Sequence, residues 1–240
     1  MAHPATPKKG NSDPPLRTFT LAFVFHLTLF CVYLYGYLWH FSDGAKQLPG
    51  SHGFGWFYRY LTFWGFSIQL VTWAFSLLTH LFPRWKDAKR ISDLLASSVF
   101  GIANIITVLH WTLFVLIQGN PVEGELVDRP VALGILVHAV NALSAWLDVK
   151  IGERTFRYPS LRVSFGIATA YCAFILWCKF ETGIFPYPFL NTWPQPEAFL
   201  VLLAVSMVLI YVFHKIGAAY AASGQSKVAK RVKSTLGKVS

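Results

Sequence analysis

Long apolar runs separated by short polar segments dominate this chain. There are six such runs, each between 17 and 25 residues long. They cover residues 18–40, 60–82, 94–118, 131–147, 161–179 and 198–216. A helix of roughly 20 apolar residues crosses a bilayer core, and lipid offers no hydrogen-bond partner to a backbone that is not helical. The pattern therefore predicts an all-α polytopic membrane protein, built as a six-transmembrane-helix bundle.

Composition excludes an ordinary soluble domain. The 240 residues are 54% hydrophobic and only 13% charged, whereas soluble domains carry about 25% charged residues. The net charge of +10 could indicate a nucleic-acid partner. However, the basic residues cluster between the apolar runs, as topology signals and contacts with anionic lipids do. We therefore expect membrane lipids as partners and no nucleic acid. Cys31, Cys172 and Cys178 lie inside apolar runs without metal-ligand spacing, so no metal is expected.

The distribution of Lys and Arg predicts the orientation of the spans. The N-terminal tail, the segments after spans two and four, and the C-terminal segment hold 17 of the 21 basic residues. Because short basic segments stay in the cytosol, both termini are predicted to be cytosolic. The predicted domains are a polar cytosolic tail at 1–17, the transmembrane domain at 18–217 and a basic cytosolic tail at 218–240.

The segment between spans five and six has an unusual composition. Residues 183–195 read GIFPYPFLNTWPQ, with three prolines and four aromatic residues. The prolines predict that this segment is not helical. Two interpretations remain open. It is either an interfacial or re-entrant lid, with Tyr187 and Trp193 at headgroup depth, or a plain aromatic belt.

Polar side chains at membrane depth are the candidate functional residues, because such groups are costly in lipid. They are His26, Thr62, Gln69, Asn104, His110, His138 and Asn141, with Glu181 just beyond span five. Each alone is more often a hydrogen-bonding group between helices. The topology places Thr62 and His138 in the same half of the bilayer. A Thr hydroxyl beside a neutral His would form a nucleophile–base pair, although sequence spacing does not show whether the two meet.

Several short motifs resemble a known family, from about Phe57 to Tyr220. They are Tyr60-Leu61-Thr62-Phe63 followed by Gln69, then Leu136-Val137-His138, then Phe174-Ile175-Leu176-Trp177-Cys178, and Thr182-Gly183 leading to Tyr187-Pro188-Phe189-Leu190. In this order and spacing they resemble the androgen-induced integral membrane hydrolases. The androgen-dependent regulator of tissue factor pathway inhibitor is a sister of that family.

The resemblance implies an intramembrane threonine hydrolase. Its members cleave fatty acid esters of hydroxy fatty acids, with Thr62 and His138 at the positions of the nucleophile and the base. It implies no cofactor, a lipid-ester substrate, and a place in the endoplasmic reticulum or another endomembrane. The residues expected to bind the substrate are Gln69, Asn104, His110, Asn141, Glu181 and Tyr187.

Two departures from the family pattern leave other functions open. Asn141 stands where the family commonly has a second His, and Phe180-Glu181 stands where it has a His pair. Asn can orient a partner but cannot carry a proton near neutral pH. A non-enzymatic lipid-binding or regulatory protein of the same family is therefore the main alternative. A transporter or channel is a third, which would require polar groups along the whole depth of a pore.

Overall fold

The computed structural model describes residues 20–117 and 130–236, and within these ranges the chain forms helices and no strands. The α-helices are α1 (Leu21–Trp39), α2 (Asp43–Lys46), α3 (Leu61–Leu81), α4 (Lys86–Ile117), α5 (Val131–Ile135), α6 (Asn141–Ile151), α7 (Tyr158–Thr182), α8 (Pro188–Thr192) and α9 (Glu197–Leu236). A π turn, Leu136–Val140, joins α5 to α6. Two short 3₁₀ helices, Pro49–Ser51 and Trp56–Arg59, precede α3.

Six helices are long and apolar enough to cross a membrane, which confirms the predicted fold class. They are α1, α3, α4, the continuous α5–α6 helix, α7 and α9. Their ends differ from the predicted spans. Helix α4 begins at Lys86, eight residues before the predicted start, and α9 continues to Leu236. Hydropathy marks where a helix enters lipid, whereas backbone hydrogen bonds can continue a helix beyond that point.

Helix α4 is the centre of the bundle and contacts α3, α6, α7 and α9. Its buried face carries Phe100, Ile102, Ala103 and Ile105. Gly101 lets α9 approach closely, because a Cβ there would lie 3.2 Å from the backbone oxygen of Ile210. Small residues commonly let membrane helices pack backbone to backbone in this way.

Replacing Gly101 by leucine should therefore separate α4 from α9. We expect a loss of about 1–3 kcal/mol of stability, the usual cost of forcing extra carbons into a packed core. Unfolding by SDS titration measures the change. Gly166→Leu is the matched control, since a Cβ at Gly166 would meet nothing within 4 Å. Equal stability of the two variants would contradict this account of the packing.

The segment before α3 and the segment that contains α8 both pack against the ends of membrane helices. Ala45, Leu48 and Phe57 form a buried cluster with Phe63 of α3. The prediction that residues 183–195 are not helical was wrong for α8, which has a single proline at its first position. A proline there costs nothing, because the first N–H groups of a helix have no partner within it. Phe185 and Leu190 are buried against Tyr171 and Phe199, so this segment packs on α7 and α9.

Candidate active site

The helix ends form two groups. The last residues of α3 and α6 lie at one end of the bundle, together with the first residues of α4 and α7. We call this end the basic end. The first residues of α3 and of α5 lie at the opposite end of the bundle. Thr62 is the second residue of α3 and is half-buried there.

Two tyrosines hold the start of α3 in place. The Leu61 amide donates to Tyr187 Oη at 3.0 Å. The hydroxyls of Tyr187 and Tyr171 lie 2.7 Å apart, and Tyr171 donates to the Arg59 carbonyl at 3.0 Å. Burial raises the pKa of Tyr187, so its phenol stays neutral. Tyr187 therefore contacts the backbone beside Thr62 and links α3 to the segment that precedes α8.

His138 lies in the π turn of the fourth membrane helix. Such turns contain one residue more than an α-turn and often occur at functional sites. The Thr107 hydroxyl of α4 donates to the His138 carbonyl at 2.7 Å. His138 Nδ1 lies 3.0 Å from the Gly134 carbonyl. A carbonyl only accepts, so we assign the ring proton to Nδ1, which leaves the lone pair on Nε2.

The structure brings Thr62 and His138 together. Thr62 Oγ1 lies 3.5 Å from His138 Nε2, somewhat longer than a usual hydrogen bond. The lone pair of Nε2 thus faces the hydroxyl, while Nδ1 is oriented by a backbone carbonyl. This is the order of nucleophile, base and orienting group in nucleophilic catalysis, and catalytic contacts are often long without substrate.

His110 of α4 stacks on one face of the His138 ring. The two rings are parallel to within 7°, with centroids 3.5 Å apart. The stack restricts rotation of the His138 ring. His110 was expected among the substrate-binding residues, and the structure places it against the His138 ring.

Gln69 and Asn141 meet one layer deeper in the bundle. Gln69 Nε2 donates to the Asn141 carbonyl at 2.9 Å, and both side chains have 0% exposure. Gly65, three residues after Thr62, faces the same contact, because a Cβ there would lie 3.9 Å from Asn141 Nδ2. Asn141 therefore lies about one helical turn from His138, and Gln69 lies about two turns from Thr62.

The structure does not bring Asn104 and Glu181, the remaining two candidates for substrate binding, to the Thr62–His138 pair. Asn104 Nδ2 donates to the Phe100 carbonyl, and Asn104 Oδ1 accepts from Trp146 Nε1 at 2.8 Å. Its amide thus joins α4 to α6. Glu181 is exposed and accepts from Trp177 Nε1 on the same helix. In the part of the chain that the structure describes, no three His, Cys, Asp or Glu side chains are grouped as metal ligands.

A known protein family matches nearly the whole membrane domain. A model of the FAR-17a/AIG1-like protein family matches residues 21–221. The chain belongs to the FAR-17a/AIG1-like family. No curated protein and no solved structure matches it. The match begins at the first residue of α1 and ends within α9, so it includes all six membrane helices.

This FAR-17a/AIG1-like protein also contains a buried ionic cluster at the basic end, of which the sequence analysis named only His26 as a candidate residue. Arg154 Nε donates to Asp148 Oδ2 at 2.7 Å, and His26 Nε2 lies 2.8 Å from Asp148 Oδ1. Further members on α3 and α4 are Ser76, His80, Ser92 and Asp93. Burial lowers the pKa of Arg154, but Asp148 and Asp93 offset this and raise it overall, so Arg154 stays charged. The cluster joins α1, α3, α4 and α6.

Proposed function

We propose that this FAR-17a/AIG1-like protein is a membrane hydrolase of lipid esters that acts through Thr62 and His138. The observation that carries the proposal is the 3.5 Å contact between Thr62 Oγ1 and a His138 Nε2 whose lone pair faces the hydroxyl. A threonine hydroxyl needs an adjacent base to attack a carbonyl. The resemblance to androgen-induced hydrolases suggests fatty acid esters of hydroxy fatty acids as substrates.

The first half of the reaction transfers the acyl group. Thr62 Oγ attacks the ester carbonyl while His138 Nε2 takes the hydroxyl proton. The tetrahedral intermediate then breaks its bond to the leaving oxygen, and His138 donates the proton to that oxygen. The products are a free hydroxy fatty acid and an acyl ester on Thr62. The hydrogen bond from Nδ1 to Gly134 favours the tautomer that this step requires.

The second half hydrolyses the acyl ester of Thr62. Water attacks its carbonyl and gives a proton to His138, which returns it to Thr62 Oγ as the fatty acid leaves. Atoms and charges balance over the two halves, and no cofactor is consumed.

Orientation and location are part of the proposal. The excess of Lys and Arg at the basic end supports cytosolic termini. The Thr62–His138 pair would then lie in the half of the bilayer away from the cytosol. Substrate would enter from lipid, between helices. The resemblance favours the endoplasmic reticulum or another endomembrane.

Covalent labelling tests the proposal on the wild-type protein in nanodiscs. A fluorophosphonate with a lipid chain should form a stable adduct on Thr62, located by peptide mass spectrometry. An ester of a hydroxy fatty acid should be cleaved, whereas the matched ether should not. A lipid-binding regulator would bind both lipids, cleave neither and form no adduct. An adduct on another residue with Thr62 unmodified would also contradict the proposal.

A further inference from the structure

Two buried amide side chains, one to two helical turns deeper in the bundle than the Thr62–His138 pair, have unpaired polar atoms. Asn141 has 0% exposure, and neither its Oδ1 nor its Nδ2 has a hydrogen-bond partner. Gln69 also has 0% exposure, and its Oε1 is unpaired. A buried polar group without a partner costs about 1–3 kcal/mol. Such groups are rare in native proteins and call for a ligand or an ordered water molecule.

The position of these atoms relates them to the reaction. Asn141 follows His138 by three residues, and Gly65 follows Thr62 by three. Thr62 contacts His138, and one turn further along the helices Gly65 faces Ile106 Cδ1 and, at a longer distance, Asn141 Nδ2. Along its helix Asn141 therefore lies about one turn, or roughly 5 Å, from His138, and Gln69 lies about two turns, or roughly 10 Å, from Thr62. The Asn141 amide is thus within reach of a small ligand that also contacts the pair.

The three unpaired groups match the hydrogen-bonding capacity of water. Asn141 Nδ2 is a donor, while Asn141 Oδ1 and Gln69 Oε1 are acceptors. A water molecule can accept one bond and donate two, and buried waters typically make about three bonds. Neither a carboxylate, which only accepts, nor an ammonium group, which only donates, would satisfy this set.

We infer that Asn141 and Gln69 bind the water that hydrolyses the acyl ester of Thr62. The inference rests on the proposed function. The bound water attacks the acyl carbonyl, forming a C–O bond, while its proton passes to His138 Nε2. The bond between the acyl carbon and Thr62 Oγ then breaks, and the proton returns to Oγ. Lipid cannot supply this water, so a hydrolase that acts within the membrane needs a site inside the bundle that binds it.

Asn141→Leu tests the inference, because it keeps the size of the side chain and removes both polar atoms. Fluorophosphonate labelling needs attack by Thr62 but no water. We expect its rate to stay within about threefold of wild type, while ester turnover falls at least about tenfold. The acyl ester of Thr62 should accumulate and be detected by mass spectrometry. A purely structural role for Asn141 would lower both rates together.

A second variant and a control complete the experiment. Gln69→Leu should likewise lower ester turnover while leaving the labelling rate nearly unchanged. This variant still tests the inference if Asn141→Leu does not fold. Thr72→Val is the matched control, because its buried hydroxyl lies on the same helix but is already bonded to the Ile68 carbonyl. It should leave the ratio of turnover to labelling unchanged.

The outcomes that overturn the inference are distinct from failure of the proposed function. Parallel loss of labelling and turnover in both Leu variants would assign the amides to acylation or to folding. Unchanged rates would exclude a role in the reaction. In both cases wild-type Thr62 is still labelled, so only the inference fails. A wild-type protein that forms no adduct on Thr62 would overturn the proposed function as well.

Discussion

Thr62→Ala is expected to abolish hydrolysis of a lipid ester, with a loss of at least about 10³-fold. The variant removes the only atom that the proposed reaction acylates. His138→Gln should be similarly inactive, because Gln can hydrogen-bond to the Thr62 hydroxyl but cannot take its proton. Combining the two substitutions should add little to either, since nucleophile and base act as one unit. Release of fatty acid from nanodisc-embedded protein measures all three variants.

Ser67→Ala serves as the control for this series. Ser67 lies on α3 five residues after Thr62, and its hydroxyl donates to the Phe63 carbonyl. Removing it changes the same helix without touching the pair, so turnover should stay close to that of wild type. Thr62→Ser should retain measurable activity, because it keeps the hydroxyl. A folded Thr62→Ala protein with wild-type turnover would end the proposal.

Arg154→Met is expected to be among the most destabilising single substitutions, with a loss of about 3–5 kcal/mol. Arg154 and Asp148 are 3% and 2% exposed. Without the guanidinium, the Asp148 carboxylate would be left charged and buried beside His26. Asp148→Leu should be destabilising for the converse reason. The double variant should be more stable than either single one, because it removes both charges together.

SDS titration of the purified variants measures these changes. The exposed pair of Lys46 and Asp43, 2.7 Å apart, provides the comparison. Lys46→Ala should leave the unfolding midpoint unchanged, since exposed ion pairs contribute little. If Arg154→Met and Lys46→Ala unfold at the same SDS fraction as wild type, the buried cluster does not hold the helices together.

The fold could be predicted because hydropathy alone determines which segments enter lipid. The same signal could not predict the ends of α4 and α9, where the helix extends beyond its apolar run. The Lys and Arg count treated Arg154 as an exposed topology signal. The structure instead buries it, bonded to residues on three other segments of the chain. No local pattern reveals this burial, because apart from Asp148 its partners lie at least 61 residues away in sequence.

The candidate site could be predicted only in part. Reasoning from topology placed Thr62 and His138 in one half of the bilayer, but their contact depends on how α3 packs against α5 and α6. His138 and Asn141 are three residues apart, a spacing of about one helical turn. This spacing did not reveal the π turn between them, the stacking of His110, or the unpaired state of the Asn141 amide. These features arise from side chains on different helices.

The π turn also determines how far the two halves of the fourth membrane helix are rotated relative to each other about the helix axis. Its extra residue sets how far the helical face at Asp148 is turned relative to the face at His138. One half of the helix meets Thr62, and the other half meets the buried ions. Inserting or deleting one residue between His138 and Asp148 would turn the two halves against each other by about 100°. In this segment a change of length is therefore a larger perturbation than a change of side chain.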